Sequence, residues 1–422
     1  MAISKDDKII DEYVADRNSH IGDVWAAQLG EYPPKYENLY GGLMNEWVTT
    51  DVIRHYVDAI GDRNPLWRSD DYARTTRWGG IIAPATITDS IVHYVPGMRE
   101  PGAPDYPICK NFKPEIFDRV VEIMPRGNNR ELFQVIRAGD RFRVVHMWLG
   151  LRETEPTRGG AHRQFIKTIR SHFINQREET VAVVDYLYDV LVDAVVDFEH
   201  PYYPGREKIR RVTDEERDAI IKGYDEEKIR GADTLFWEDV NVGDEIEPLA
   251  VGPVTIEDVA AMFAAVSGHA VAFEIQWERI KPYRLMHHTE GLKGFLDPVY
   301  NAYSGPVDHF YDEHRQQSMM YARHTGGGNA LGLWPQMDGL ISRMIYRWLG
   351  DDGVLKRLNT EVLFYYLHGE ALHCKGKVTG KSIEGDEHLV ELEVSMENHE
   401  GLVLSKGIAT VRLLSRTAPT LV

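Results

Sequence analysis

The sequence predicts an α+β protein that consists of two similar modules, each an antiparallel sheet wrapped around a long helix. Three observations predict this. The order of a helix followed by strands occurs twice, the same two turns recur in both copies, and a strongly charged interval separates them. A chain of 422 residues also fits two hydrophobic cores better than one.

The first predicted helix begins at Thr49-Thr50-Asp51, whose side chains can accept hydrogen bonds from the first helical N–H groups. Apolar residues of the following run, VIRHYVDAI, recur at helical spacing, and Gly61 ends the helix. After residue 105 the chain changes to runs rich in β-branched and aromatic residues, separated by turn residues. These runs predict the long strands of an antiparallel sheet.

The second half repeats this order. A capped helix is predicted from Thr255, a second helix is predicted in the run GLISRMIYRWLG, and strand-like runs follow. The turn Gly139-Asp140 of the first half matches Gly369-Glu370, and Asn175 at the next turn matches Asn398. Matches that occur twice in the same order indicate an internal duplication.

A charged interval at residues 201–235 opens with prolines and predicts a linker that carries a solvated helix. The expected domains are therefore residues 1–200 and residues 236–422. The first residues are charged and lack the apolar core of a secretory signal, and no run approaches the roughly 18 apolar residues of a membrane helix. We therefore expect a cytoplasmic protein without membrane contact.

Composition argues against several classes of protein. A net charge of −18 is unfavourable for broad nucleic-acid binding, which needs a basic surface. The cysteines, Cys109 and Cys374, are too few and too far apart for a disulfide framework or a CxxC metal site. Histidines at positions 287–324 lack the spacing of a metal-ligand motif, so no metal is expected.

The strongest local pattern is GDRNPLW at residues 61–67, followed by Asp71-Tyr72-Ala73 and by WGGIIAP at residues 78–84. A carboxylate just after a helix could deprotonate a water, and a glycine pair before a second helix could bring N–H groups to an oxyanion. The alternative is an Asx-type turn, in which Asp62 and Asn64 only accept backbone hydrogen bonds. Spacing alone favours the turn.

This pattern resembles the signature of the MaoC-like hydratases and dehydratases, which usually reads GDxNPxH. Asp62, Asn64 and Pro65 match, whereas Trp67 stands at the position of the family's histidine. The resemblance implies a double hot-dog fold and reversible, (R)-specific hydration of a 2-enoyl thioester, with coenzyme A in the substrate and no other cofactor. It also implies that Asp62 is the general base or positions the water, and that Asn64 orients Asp62. Because a carboxylate without an imidazole is a poorer proton shuttle, the first half could instead be a degenerate partner that shapes the pocket.

In the second half, His269 stands at the position of the family's aspartate. Residues 305–312 resemble a VHWD segment of two-module relatives. This implies that His309 supplies the missing imidazole as acid/base, oriented by Asp308 or Asp312. An ordinary loop histidine is the open alternative.

The predicted substrate contacts are Trp67, the glycine pair Gly79 and Gly80, and two residues of the second predicted helix, Asp338 and Arg343. The last two could instead form a structural ion pair. A basic tract at residues 158–167 could hold the phosphates of coenzyme A or be a solvated hairpin tip.

The expected partners are an acyl-CoA substrate and a second copy of the chain in a homodimer. Two other functions remain open. An acyl-CoA thioesterase of the same fold would use Asp62 to activate water toward the thioester carbonyl. A non-catalytic ligand-binding partner is consistent with Trp67 and His269, which interrupt the acid–base pair in both halves.

Overall fold

The computed structural model describes residues 7–27, 43, 45–92, 119–157, 160–193, 210–266 and 332–417. The helices in these ranges are α1 (Asp7–Ser19), α2 (Thr50–Ala59), α3 (Pro65–Arg68), α4 (Asp70–Thr75), α5 (Thr88–Val92), α6 (Asp214–Asp225), α7 (Ile256–Val266) and α8 (Trp334–Leu349), with 3-10 turns at Ala85–Ile87 and Trp237–Asp239. The strands are β1 (Val24–Ala27), β2 (Ile82–Ala83), β3 (Val120–Leu132), β4 (Ile136–Arg137), β5 (Phe142–Thr154), β6 (Arg163–Asn175), β7 (Thr180–Val192), β8 (Glu245–Val251), β9 (Val354–Val362), β10 (Leu372–Glu384), β11 (Glu387–Asn398) and β12 (Val403–Leu413).

Ten of these strands form one antiparallel sheet in the order β1-β5-β6-β7-β3-β9-β12-β11-β10-β8. The first five strands in this order come from the first half and the last five from the second half. The halves join where β3 pairs with β9, with Asn129 opposite Asn359 near the centre of the pairing. The predicted α+β class is confirmed, and the two predicted sheets are the two halves of one continuous sheet.

Hydrogen bonds at the matched turns show the internal duplication directly. In the first half, Val48 exchanges two backbone hydrogen bonds of 2.8 Å with the Gly139-Asp140 turn. In the second half, Val254 exchanges two of 2.8 Å with the Gly369-Glu370 turn. The same backbone pairing at both places means that the two halves share one fold, as the repeated sequence pattern predicts.

The next turn and the helix caps agree with this. The side-chain oxygens of Asn175 and Asn398 each accept from the backbone N–H groups two and four residues later. The hydroxyls of Thr49 and Thr255 each accept from the N–H three residues later, at the start of α2 and α7. The predicted starts of both helices are therefore confirmed.

Helix α8 forms the core of the second half. All of its residues except Trp348 are buried, and it packs against β8, β9, β10 and β11. The corresponding part of the first half is the buried helical segment Ala85–Ile91, which precedes the strands in the same way. One continuous apolar cluster links the two halves, whereas α1 forms a separate small cluster with β5, β6 and β7.

The interval predicted as a linker contains α6, whose first turn is closed by a capping box between Thr213 and Glu216. The helix is solvated, with only Ile220 buried, whereas the chain after it is partly buried, because the side chain of Glu227 is only 6% exposed and contacts α8. None of the helices in the described part of the chain is both long and apolar enough to cross a membrane.

Candidate functional site

The loop after α2 places Asp62 in a tight turn. Gly61 adopts a left-handed conformation (φ +65°), which reverses the chain at the end of the helix. One oxygen of Asp62, Oδ1, accepts from the backbone N–H of Asn64 at 2.9 Å. The Asn64 side chain in turn accepts from the N–H of Leu66 at 3.0 Å and caps α3. These are the contacts of the Asx-type turn that the residue spacing favours.

The second oxygen of Asp62 is held by the residue that replaces the family's histidine. Oδ2 of Asp62 accepts from the indole Nε1 of Trp67 at 3.0 Å. Asp62 is 4% exposed and Trp67 is 1% exposed. Burial raises the pKa of Asp62 above its ordinary value, while the Asn64 N–H, Arg343 and Trp67 act in the opposite direction. Both carboxylate oxygens therefore already have N–H partners in a buried place.

Helix α8 of the second half lies along this loop. Gln336 donates from Nε2 to the carbonyl oxygen of Ala59 at 2.9 Å. Arg343 donates from Nη1 to the carbonyl oxygen of Ile60 at 3.0 Å. Gln336 and Arg343 are seven residues apart, so they share one face of α8. That face satisfies the carbonyl groups at the C-terminal end of α2, which have no partner inside the helix.

Tyr346 on the same helix contacts two more parts of the pattern. Its ring packs edge-to-face against Trp67, with ring centroids 5.1 Å apart at an angle of 82°. Its hydroxyl oxygen accepts from the N–H of Ala85 at 3.1 Å, where the buried helical segment of the first half begins. A side chain of the second half therefore accepts the hydrogen bond of the first N–H group of this segment.

The remaining landmarks of the pattern contact Asp351, just after α8. The hydroxyl of Tyr72 donates to Oδ2 of Asp351 at 2.6 Å, and the indole of Trp78 donates to its backbone oxygen at 2.7 Å. We call residues 59–85 the docking segment, because its polar landmarks hydrogen-bond within the loop or to α8 and the turn that follows α8.

The glycine pair does not begin a helix, contrary to the prediction. Gly79 and Gly80 precede the short strand β2, and the helical segment begins at Ala85. Residues 81–83 are extended because β2 pairs with β4 and because the Ile81 carbonyl oxygen accepts from the N–H of Ala138 at 3.0 Å. Gly79 is exposed, and its N–H donates to Thr76. A substrate contact of the pair stays a prediction.

Asp338 and Arg343 lie on α8 but do not pair with each other, so the ion-pair alternative is wrong. Positions five apart point roughly 140° apart around a helix axis. Asp338 accepts from Asn128 and, at 2.8 Å, from the Thr360 hydroxyl. Arg343 donates to both carboxylate oxygens of Glu227, at 2.7 and 2.9 Å. Both side chains are buried, and their predicted contact with a substrate stays a prediction.

The basic tract is partly neutralised by its neighbours. The Arg163 guanidinium donates to Glu153 at 2.6 Å and to Asp11 at 2.7 Å. Lys167 lies over an aromatic ring at 4.7 Å from its centroid, and Arg158 lies outside the described residues. A phosphate would have to displace carboxylates from Arg163, which favours the hairpin-tip interpretation.

His269 and His309 also lie outside the described residues, as do the histidines at positions 287–324. The predicted acid/base role of His309 is therefore not placed in the fold. Within the described ranges, no group of three or more His, Cys, Asp or Glu could hold a metal ion.

The sequence analysis missed Tyr346 and a buried cluster of Asp89, Arg130 and Asp338. Arg130 donates to both oxygens of Asp89 and lies 3.6 Å from Asp338. One indication was available, because an aspartate interrupts the apolar helical run of each half, in TITDSIV and in QMDGLIS. No comparable indication marks Tyr346, which resembles any core aromatic residue.

The fold and the site together define the class of protein. Two sheet-and-helix halves share one antiparallel sheet, and a signature-like loop precedes the buried helical segment of the first half. These are the features of a double hot-dog fold, and the loop in its first half resembles the MaoC-like signature.

Comparison with known proteins agrees with this class. Residues 41–184 match the family model described as FAS1-like, dehydratase domain region. A solved structure named MaoC-like dehydratase is 13% identical and covers 94% of this chain and 99% of its own, with a TM-score of 0.54. No curated protein matches the chain.

Two further solved structures are similar over most of the chain. A MaoC domain protein dehydratase from Chloroflexus aurantiacus J-10-fl is 11% identical and covers 94% of this chain and 96% of its own, with a TM-score of 0.47. A conserved hypothetical protein from Mycobacterium tuberculosis with a double hotdog fold is 12% identical and covers 93% of this chain and 96% of its own, with a TM-score of 0.45. The predicted likeness to the fold of a MaoC-like dehydratase is confirmed by the first of these structures, whose TM-score is 0.54.

Proposed function

We propose that the protein is a hydro-lyase that adds water reversibly to a 2-enoyl thioester. The hydroxyl group bonds to C3 and a proton to C2, and the reverse reaction removes water from a 3-hydroxyacyl thioester. The dehydratase-region match and the fold support this reaction class, although a fold alone does not define a function. Coenzyme A is the thiol carrier that we favour, as part of the substrate.

The observation that carries the assignment within the chain is the bonding of Asp62. A general base must be within hydrogen-bond reach of its water. Asp62 is buried, and its two oxygens accept from Asn64 and Trp67. We therefore assign Asp62 and Asn64 a positioning role in the docking segment and assign the proton transfers to the second half. The catalytic role that the resemblance implies for Asp62 is the alternative that the experiment tests.

The acid–base residues that we propose for the second half come from sequence position alone. His309 is the imidazole implied by the resemblance. In addition, His269 follows the last residue of α7 by three positions, as Asp62 follows α2, and Glu274 follows His269 by five, as Trp67 follows Asp62. These positions of the second half therefore hold an imidazole and a carboxylate, in the reverse of the order that the family's signature has. All three residues lie outside the described ranges.

The test is an absorbance assay of the enoyl-thioester band with straight, branched and aromatic enoyl-CoAs. We expect the wild type and Asp62→Asn to hydrate a substrate at similar rates, and His309→Ala and Glu274→Gln to lose activity. Circular dichroism verifies that each variant is folded. Loss of activity in folded Asp62→Asn would overturn the positioning role, and full activity in His309→Ala would overturn the assignment of that histidine.

A non-catalytic ligand-binding role is the second candidate, supported by the replacement of the family's histidine with Trp67. It predicts that no enoyl-CoA is hydrated, while an acyl-CoA still binds in calorimetry. Release of free thiol in the same assays would instead identify a thioesterase. A homodimer and a cytoplasmic location are further expectations, measured by native mass and by cell fractionation.

A further inference from the structure

The junction of the two halves buries two carboxyl groups beside one guanidinium group. Asp89 lies on α5, Asp338 on α8 and Arg130 on β3. Their side chains are 0%, 1% and 0% exposed, respectively. This cluster includes no residue of the docking segment and none of the residues to which we assign the proton transfers of the proposed hydration.

Arg130 contacts the two carboxyl groups unequally. Its Nη2 donates to both oxygens of Asp89 at 2.8 Å, and its Nε donates to the Thr88 hydroxyl at 2.9 Å. Its Nη1 lies 3.6 Å from Asp338 and has no hydrogen-bond partner in the described part of the chain. Asp89 is therefore fully paired, whereas Asp338 has no cation within hydrogen-bond distance among the described residues.

The register of the junction explains this difference. Asn129 of β3 pairs with Asn359 of β9, so the residues that follow them occupy equivalent positions in the two halves. That residue is Arg130 in the first half and Thr360 in the second. Each contacts the aspartate of its own half, but only one of the two carries a positive charge. The second carboxyl group has a hydroxyl where the first has a guanidinium.

Three other titratable groups among the described residues interact with the cluster: Tyr56 from α2, Tyr186 from β7 and Tyr346 from α8. Burial raises the pKa of all three hydroxyls, so they stay protonated, and Tyr186 donates to Asp89 at 3.1 Å. One guanidinium thus faces two carboxyl groups. If both carboxyl groups were ionised, one buried negative charge would be uncompensated, which is unfavourable, and such a group usually keeps a proton instead.

We propose that the junction is a proton-binding site, in which Asp338 is a protonated carboxylic acid at neutral pH and Asp89 is ionised. The neighbours of Asp338 suit a proton, because the Thr360 hydroxyl can donate or accept and the Asn128 amide can present its NH2 group or its oxygen. The side-chain oxygen of Asn128 is buried and, within the described ranges, has no hydrogen-bond partner, although the amide points at Asp338. Burial also raises the pKa of Asp338 and of Asp89, while Arg130 acts in the opposite direction on both.

The bound proton stabilises the packing of the two halves against each other. Asp338 belongs to the second half, and its neighbours Asn128 and Arg130 belong to the first. A protonated Asp338 fills this contact without a net charge, whereas an ionised Asp338 would add a second buried anion beside Asp89. We therefore expect alkaline pH to weaken the packing of the two halves.

Infrared spectroscopy of the full-length protein tests the proposal. A protonated carboxylic acid gives a C=O stretching band distinct from that of a carboxylate. We expect this band in the wild type at pH 7, its decay as the pH is raised, and its loss in Asp338→Asn. Asp140→Asn is the matched control, because Asp140 is buried in a turn away from the junction.

A wild type without the band at pH 7 would overturn the proposal without any variant. A band that persists in Asp338→Asn and disappears in Asp89→Asn would overturn the placement of the proton on Asp338. The band does not depend on catalysis, so failure of the proposed hydration would leave this test unaffected.

Discussion

The bond between Asp62 and the indole of Trp67 predicts a measurable energetic coupling. Trp67→Phe keeps an aromatic ring beside Tyr346 but removes the donor to the buried carboxylate. A hydrogen bond to a charged group contributes about 1.5–3 kcal/mol, so we expect the free energy of unfolding to fall by at least that amount. In Asp62→Asn, the amide must place its NH2 group against one of two donors, the Asn64 N–H or the indole. We therefore expect the free energy of unfolding to fall by about 1–3 kcal/mol.

The double variant tests whether the two residues act through this bond. Once the indole donor is absent, the amide of Asp62→Asn can turn its NH2 group toward the vacated side, so the two effects should not add. We expect a coupling of about 1.5–3 kcal/mol, measured from urea unfolding followed by circular dichroism.

A control pair comes from Trp148, a buried tryptophan whose indole donates to the backbone oxygen of Arg17 at 2.8 Å. Trp148→Phe combined with Asp62→Asn should be additive within about 0.5 kcal/mol, because the residues share no partner. A coupling of similar size in both cycles, or none in either, would refute the assignment of the Trp67 indole as the partner of Asp62.

Three further predictions follow from buried polar contacts. Tyr346→Phe leaves the N–H of Ala85 without its acceptor and should lower the free energy of unfolding by about 1–3 kcal/mol in urea titrations. Glu227→Gln breaks the buried pair with Arg343 and should lower it by about 3–5 kcal/mol. Burial raises the pKa of Asp89 to about 6 from an ordinary value of 3.8, so the folded protein keeps this proton at higher pH than the unfolded chain. The free energy of unfolding should therefore fall by at most about 3 kcal/mol as the pH rises from about 4 through about 6, because part of this shift requires a charged Asp338. This part of the pH dependence should vanish in Asp89→Asn.

Each of these predictions has an outcome that contradicts it. Tyr346→Phe with wild-type stability would mean that another acceptor serves the buried N–H. Glu226→Gln, one residue from Glu227 and exposed, should change the free energy of unfolding by less than about 0.5 kcal/mol, and an equal effect of both glutamate variants would argue against the buried pair. A pH dependence unchanged in Asp89→Asn would assign it to other groups.

The sequence by itself determined the α+β class, the internal duplication and the starts of α2 and α7. These features depend on neighbours in the chain: the threonine caps, the helical spacing of apolar residues and the side-chain bonds within each turn. The Asx turn of Asp62 was also predictable, since its partner Asn64 is two residues away. Whether that turn was catalytic could not be decided from spacing, because both functions use the same residues.

Only the tertiary structure decided what surrounds that turn. The Trp67 indole donates to Asp62, and the Tyr346 hydroxyl accepts from the N–H of Ala85. Tyr72 donates to Asp351, which is 279 positions away in the chain. The joining of β3 to β9 and the shared guanidinium of the junction likewise connect residues far apart in sequence. Periodicity and local motifs carry no information about such pairs, because packing of the two halves brings them together.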